Sequence, residues 1–449
     1  MPYGIPDTIV AIATPAGRGA VGIVRLSGAE TPRIAIQILG ELPAARTACV
    51  RRFVDAGGTT LDVGLALYFP APSSFTGEPV LELQGHGGAQ VQDELLRRAL
   101  SLGARMARPG EFTERAFLNG KLDLAQAEAV ADLIDSGTAA AARAAVRSMQ
   151  GEFSAHIHGL QAQLTELRAY VEAAIDFPDE EIDFLSGDAL ESRLSRVFAA
   201  FDSIAAAAHR GALLREGLNV VIAGKPNAGK SSLLNRLVGA DVAIVTALPG
   251  TTRDVLRQQV HLDGLPVNFI DTAGLRTAAD VAEEEGIRRA RAQMQDADRV
   301  LYVQDATLAE LALPEEIREL PSAVPVTVVN NKIDLLGLVP RVEAYGGRTR
   351  LFVSAQTGAG LDLLREHLKT GAGYHAEAGA FSARRRHLDA LTRARELVVR
   401  AAETLRATQA CELFAEDLRL AQRALGEITG DFTSDDLLGE IFGSFCIGK

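Results

Sequence analysis

The octapeptide Gly224-Lys225-Pro226-Asn227-Ala228-Gly229-Lys230-Ser231 constrains this chain more than any other stretch. The apolar run 218–223 precedes it with strand length and β-branched content, and 232–237 follows with helical spacing. Strand, G-x-x-x-x-G-K-S and helix, in that order, make a phosphate-binding loop in its required context. Gly224 and Gly229 let the backbone curl until successive N–H groups point at phosphate oxygens. The helix adds its positive N-terminal end. Lys230 reaches the β- and γ-phosphates, and the Ser231 hydroxyl ligates Mg²⁺. A chance glycine-rich turn is the competing reading, and the motifs that follow in order count against it.

The length of 449 residues suits about three domains. A net charge of −12 argues against a generally basic nucleic-acid binder but leaves room for a local basic patch or a basic partner. Cys49, Cys411 and Cys446 are far apart and form no C-x-x-C, so a reducing cytoplasmic setting is expected. Residues 1–19 carry Asp7 and lack a basic start followed by an apolar core, so no signal peptide is expected. No uninterrupted apolar run reaches about 18 residues, so no membrane partner is expected either.

Residues 8–13, 21–26, 64–69 and 80–84 read as strands, with helices at 29–39 and 90–102. Glu82 interrupts a largely apolar strand, and Arg25 lies near the end of another. Buried charges need partners, so the two read as walls of a polar pocket, as an Arg–Glu pair, or as two solvent-facing strand positions; strand alternation makes one of the latter two the commoner outcome. His86, among glycines, reads as a ligand or catalytic group, or more commonly as neither. From Lys121 the composition turns to Ala, Leu, Glu and Arg, with helical spacing over 123–134, 138–158, 160–175, 188–213, 386–405 and 409–428. The acidic run 176–186 with Pro178 reads as a solvated connector; a metal site would need convergent oxygens. Arg384-Arg385-Arg386-His387 reads as a solvated helix start in preference to an RNA contact.

The expected organisation is multidomain: an α+β domain over 1–118, an all-α helical domain over 119–216 and 374–449, and an α/β domain with a mainly parallel sheet inserted at 217–373. Strand candidates in the insert are 218–223, 255–262, 267–270, 300–303, 326–329 and 351–353, and ligand loops belong at their carboxyl ends. Gly250-Thr251-Thr252-Arg253-Asp254 offers a threonine to Mg²⁺ in a loop ordered by γ-phosphate. Asp271-Thr272-Ala273-Gly274 offers a carboxylate to Mg²⁺ through water and a glycine N–H to the γ-phosphate. In Asn331-Lys332-Ile333-Asp334 the last carboxylate accepts two hydrogen bonds from guanine, a donor pair adenine lacks. Ser354-Ala355 then contacts the base edge. Together these motifs specify a GTPase. Leu275 stands where many small GTPases place a water-orienting glutamine, so something else must position water. Asn227 can ligate a monovalent cation with carbonyls of the 245–250 loop, and Glu283-Glu284-Glu285 reads equally as part of that device or as a helix-start acidic cluster.

With Asp7-Thr8-Ile9-Val10-Ala11, Gly85-His86-Gly87-Gly88, Arg108-Pro109-Gly110-Glu111-Phe112, the run 121–129 and the terminal Phe445-Cys446-Ile447-Gly448-Lys449, the whole chain resembles the MnmE/TrmE family of bacterial tRNA modification GTPases. The resemblance implies GTP contacts from Asn227, Ala228, Gly229, Lys230, Ser231, Ser232, Thr246, Thr251, Thr252, Asp271, Thr272, Ala273, Gly274, Asn331, Lys332, Asp334, Ser354 and Ala355. It implies Mg²⁺ on Ser231 and Thr252, and K⁺ on Asn227, Thr251 and the Thr246 and Leu248 carbonyls. Lys230, Thr252 and Glu283 would be the catalytic group, with Glu283 orienting water. K⁺ would bring the inserted domains of a homodimer face to face. The N-terminal domain would bind a tetrahydrofolate derivative (5,10-methylene- or 5-formyl-) through Arg25, Glu82, Lys121 and Lys449. An FAD-dependent partner, MnmG, would join it in a heterotetramer that reaches tRNA and modifies C5 of the wobble uridine. Cys446 reads as a pocket thiol or a structural residue; Gly448 and the terminal Lys449 argue against a prenylation box. The competing class is a GTP-switched ribosome or RNA assembly factor, in which a basic RNA-binding module is expected instead.

Overall fold

In a computed structural model the described residues are 7–176, 188–240, 257–271, 293–295, 297–308, 313–322, 324–374, 379–408, 410–432 and 435–448. They form two compact units interleaved along the chain: Met1–Ala131, Ser148–Phe201 and Asp389–Lys449 in one, Asp132–Arg147 and Asp202–Leu388 in the other.

The first unit holds six strands: β1 (Ile9–Ile12), β2 (Gly19–Ser27), β3 (Cys49–Val54), β4 (Thr60–Phe69), β5 (Val80–Gly87) and β6 (Arg105–Met106). Their order is β3-β4-β5-β2-β1-β6, antiparallel except for β1 beside β6. Two of these strands, β3 and β6, are additions to the sequence-based expectation. β3 is an edge strand whose Arg51-Arg52 masks the apolar alternation, a usual way to blunt an edge. β6 has two residues, too few for any pattern. Period-two alternation gives the sheet two buried faces. Val24, Leu26, Phe53, Leu81 and Leu83 pack with Ile34, Ile38 and Leu95 of the helices Thr31–Leu39 and Ala89–Ser101. On the reverse, Ile9 and Ala11 meet Ala107 and Phe112.

One helix boundary departs from expectation. The spacing predicts helices over 138–158 and 160–175, broken at Gly159. The structure ends the first at Met149 and runs the second from Glu152 to Asp176 straight through Gly159. Gly151 adopts φ +87°, which ends a helix, and Gln126 Nε2 donates to Met149 O (3.1 Å) at that end. Gly159 meets no such constraint. The 29-residue helix Asp188–Glu216 is the one described helix long and apolar enough to cross a membrane, and half of its apolar window is buried.

The second unit holds seven strands: β7 (Leu218–Ala223), β8 (Arg257–Leu262), β9 (Leu265–Asp271), β10 (Arg299–Asp305), β11 (Val326–Asn331), β12 (Arg341–Tyr345) and β13 (Arg348–Phe352). Their order is β12-β13-β11-β10-β7-β9-β8, parallel in the centre with an antiparallel strand at each edge. β12 is a further addition to the sequence-based expectation: on this edge the charged Arg341 and Glu343 are half-buried, and the apolar Val342, Ala344 and Tyr345 are exposed. In β7, Val220 and Ile222 face one core while Val221 and Ala223 face the other, as a sheet covered on both sides requires. At the tip of the β8–β9 hairpin, Asp263 (φ +50°) and Gly264 (φ +93°) make the turn. Lys369 Nζ (2.7 Å) holds the Asp263 carboxylate, and Tyr374 donates to its carbonyl (3.2 Å).

Behind the sheet, Arg299 Nη1 donates to Thr327 Oγ1 (3.0 Å), and both approach His367 Nε2. Burial, together with the Arg299 charge, pushes the His367 pKa down to about 4. The unfolded chain takes up this proton near pH 6.5, so the group's contribution is complete above that pH and is lost as pH falls towards 4. His367→Gln is expected to flatten the pH dependence of this unit's unfolding between those values, read by hydrogen exchange at β10 and β11 amides; an unchanged slope would sink this assignment.

Candidate nucleotide loop and a second cavity

The phosphate loop is built where β7 ends. Gly224 sits at φ +147°, and a Cβ there would stand 2.1 Å from Val303 O. Gly229 sits at φ +92°, and its Cβ would meet Asn331 Nδ2 at 2.2 Å. Only glycine fits either place, so the loop can close around an anion while β10 and β11 press against it. Asn227 adopts φ +62°, a left-handed conformation that asparagine tolerates. Lys230 opens the helix Lys230–Ala240 and curls back, its Nζ donating to Gly224 O (2.8 Å) and Lys225 O (2.9 Å). Lys225, Pro226, Asn227 and Ala228 line a small cavity with Tyr302, Gln304, Asp305 and Leu308.

Asn331 ties the loops together. Buried at the end of β11, it donates Nδ2 to Ala228 O (3.0 Å) and accepts Ala355 N–H on Oδ1 (2.9 Å). Lys332, at φ +68°, pairs with Asp305 (2.6 Å). Burial pushes the Asp305 carboxyl up, but hydrogen bonds from Lys332 and Thr307 outweigh it and hold the group below its ordinary pKa. Asp334 is exposed, with one oxygen anchored by the buried Ser354 hydroxyl (2.5 Å). Thus Gly224–Ser232, Asn331, Lys332, Asp334, Ser354 and Ala355 gather at the carboxyl ends of parallel strands. Asp271 closes β9 in register with Ile222 of β7. Thr246, Leu248, Thr251, Thr252, Thr272, Ala273, Gly274, Leu275 and Glu283 lie outside the described residues, as do Lys449 and most of the acidic run. Asp305 was not anticipated: its partner Lys332 is distant in sequence, and no short motif announces the pair.

In the first unit, Arg25 and Glu82 are register partners on β2 and β5 and form an ion pair (2.9 Å). They also help wall a cavity of about 290 Å³ with Phe69, Phe75, Thr76, Val80, Thr113 and Val130. The pocket and ion-pair readings therefore coincide, and the solvent-facing one does not: Arg25 and Glu82 are mostly buried, pair with each other and line a pocket. Lys121 lies outside this wall, donating Nζ to Pro72 O (3.1 Å). The C-terminal tail is pinned alongside: Gly110 N–H donates to Cys446 O, Ile447 bridges Pro109, and Arg25 Nη1 donates to Gly448 O (3.3 Å). Cys446 itself is exposed. His86 is held by Asp62, which accepts both its N–H and Nδ1 (2.8 Å each). In the second unit, Arg384 pairs with the buried Asp132 (2.9 Å), and the 2%-exposed His387 accepts the Arg384 N–H. Half of that basic cluster is thus committed to packing. The aromatic wall of the cavity carried no sequence signal, because Phe69 and Phe75 read as ordinary apolar residues.

A glycine loop between parallel strand and helix, joined by a buried asparagine to base-edge loops, defines a P-loop nucleotide-binding domain. A family model described as "GTP-binding protein TrmE N-terminus" matches residues 8–121, and one described as "MnmE helical domain" matches 124–446. The chain is 57% identical over 450 residues to the tRNA modification GTPase MnmE of Pectobacterium carotovorum subsp. carotovorum (strain PC1), covering 99% of each. Identity is the same to MnmE of Yersinia pseudotuberculosis serotype IB (strain PB1/+), again over 99% of each. A solved GTP-binding protein of Sulfolobus solfataricus in complex with GDP is 18% identical, with a TM-score of 0.27 and coverage of 48% of this chain and 67% of that one. The chain belongs to the MnmE/TrmE family of tRNA modification GTPases. It is a GTP hydrolase that acts in tRNA modification.

Proposed function

We propose that this GTPase is K⁺-activated and acts in the cytoplasm as a homodimer. With an FAD-dependent MnmG partner it places a carboxymethylaminomethyl or aminomethyl group on C5 of the wobble uridine, taking a carbon from a tetrahydrofolate derivative. What supports the reading is that one chain carries both a phosphate loop containing Asn227 and, in its other unit, a cavity walled by the Arg25–Glu82 pair. A GTP-switched assembly factor needs only the first.

In this reading Ser231 and Thr252 hold Mg²⁺, while Asn227 and Thr251, with the Thr246 and Leu248 carbonyls, hold K⁺. The K⁺ supplies positive charge where other GTPases insert an arginine. Lys230 neutralises the β- and γ-phosphates, Glu283 orients the attacking water that Leu275 cannot, and Asp334 accepts the guanine donors. Arg25, Glu82, Lys121 and Lys449 hold the folate. Mass analysis of wobble uridine in cells lacking this protein is expected to show the C5 group missing; normal modification would overturn the proposal. GTP turnover is expected to be faster in KCl than in NaCl, and equal rates would remove the K⁺ role of Asn227.

A further inference from the structure

Lys332 follows β11 at φ +68°, a left-handed backbone that a residue with a Cβ rarely adopts. A strained backbone kept in place marks a candidate functional position. Its side chain does not stretch into water, where a lysine keeps its many rotamers. It folds back to Asp305, at the end of the neighbouring β10, and Nζ pairs with Oδ2 at 2.6 Å. The strand ends are already joined there without this pair. Asp305 stands in register with Asn331, and Ala306 N–H donates to Asn331 O (2.8 Å). The other Asp305 oxygen accepts the Thr307 N–H (2.9 Å) and hydroxyl (2.7 Å), closing a local turn. What the ion pair adds is direction: the four-carbon Lys332 stem must run from the end of β11 to the end of β10. The carboxylate is 13% exposed and walls the cavity beside Lys225, Pro226, Asn227 and Ala228. Left alone it would repel the phosphates of a nucleotide, and the Lys332 ammonium cancels that charge.

We propose that Asp305 is a positioning residue for guanine-nucleotide binding: by holding Nζ it lays the apolar stem of Lys332 across the ends of β10 and β11 as a floor for the base that Asp334 recognises. The assignment rests on the reading of Lys332 as a nucleotide contact. The pair bears on the base and not on the transferred phosphoryl group, so its loss belongs in affinity and not in kcat. Asparagine separates positioning from local structure. Its amide has one acceptor oxygen, which the two Thr307 donors claim, and its NH₂ then faces the ammonium. Asp305→Asn therefore keeps the turn and frees Lys332.

The test is titration of GDP into the full-length protein, beside GTP turnover at saturation and thermal unfolding without ligand. Lys332→Ala is expected to weaken GDP about tenfold, and Asp305→Asn about threefold or more, with kcat within about twofold and an unchanged melting temperature. The double variant is expected to bind no more weakly than Lys332→Ala, because Asp305 acts only through Lys332. Parental affinity in Asp305→Asn, or losses that multiply in the double variant, overturn the role of Asp305 and leave the Lys332 contact standing. Weak binding by Asp305→Asn with a lowered melting temperature assigns Asp305 to folding and also overturns it. Parental affinity in Lys332→Ala overturns the reading of Lys332 as a nucleotide contact, and this assignment with it.

Discussion

Arg115→Met is expected to destabilise the N-terminal sheet by roughly 3–5 kcal/mol, the usual cost of stripping one partner from a buried ion network. Arg115 is 1% exposed and bonds Asp7 O (3.0 Å), Asp7 Oδ1 (2.8 Å), Glu78 (3.0 Å) and Glu111 (3.1 Å). Glu111 is 0% exposed and also takes Arg105 and the Arg108 N–H. Methionine fills much of the volume but leaves Glu111 and Glu78 with less positive charge. Acid should act in the same direction. Burial pushes the Glu111 carboxyl up, yet Arg105, the Arg108 N–H and Arg115 outweigh it and hold the pKa below its ordinary value. The network's contribution is therefore complete above about pH 4.3 and drains away as pH falls below it. Hydrogen exchange at the amides of β1 and the helix Glu111–Leu118 reads both effects. Protection within 1 kcal/mol of the parent would show that the network is not what holds this corner together.

The second large effect is on nucleotide affinity. Asn331→Ala is expected to weaken GTP binding by up to about a hundredfold: without the two bonds, each about 1.4 kcal/mol, the free loops relax out of the binding geometry and GTP must reassemble them at the expense of its affinity. Ala228 O and Ala355 N–H would both be left without their partner, so the phosphate loop and the base-edge loop would lose their common tie. Titration calorimetry with GTP, beside circular dichroism to confirm folding, measures the loss. A folded variant with parental affinity would mean the tie is dispensable.

How far these features were legible in the chain depends on distance along it. The phosphate loop is a local object: glycines, lysine and serine act within one turn, so spacing alone discloses it. The expected central strands of both sheets were visible for the same reason, because burial on one or two faces writes a short-range pattern. β3 and β12 were not, since edge positions accept arginine and blur that pattern. Gly151 and Gly159 are chemically identical, and only the Gln126 contact and the positive φ select the first as the helix end.

What the sequence by itself determined is therefore the phosphate loop, its downstream motifs and the family those motifs carry. Only the tertiary structure decided that Arg25 and Glu82, 57 positions apart, both pair with each other and face a cavity. Likewise it placed Asn331 against Ala228 across 103 positions. The physical reason is that hydrogen bonding and burial at such separations depend on strand order and register, which sequence spacing does not encode.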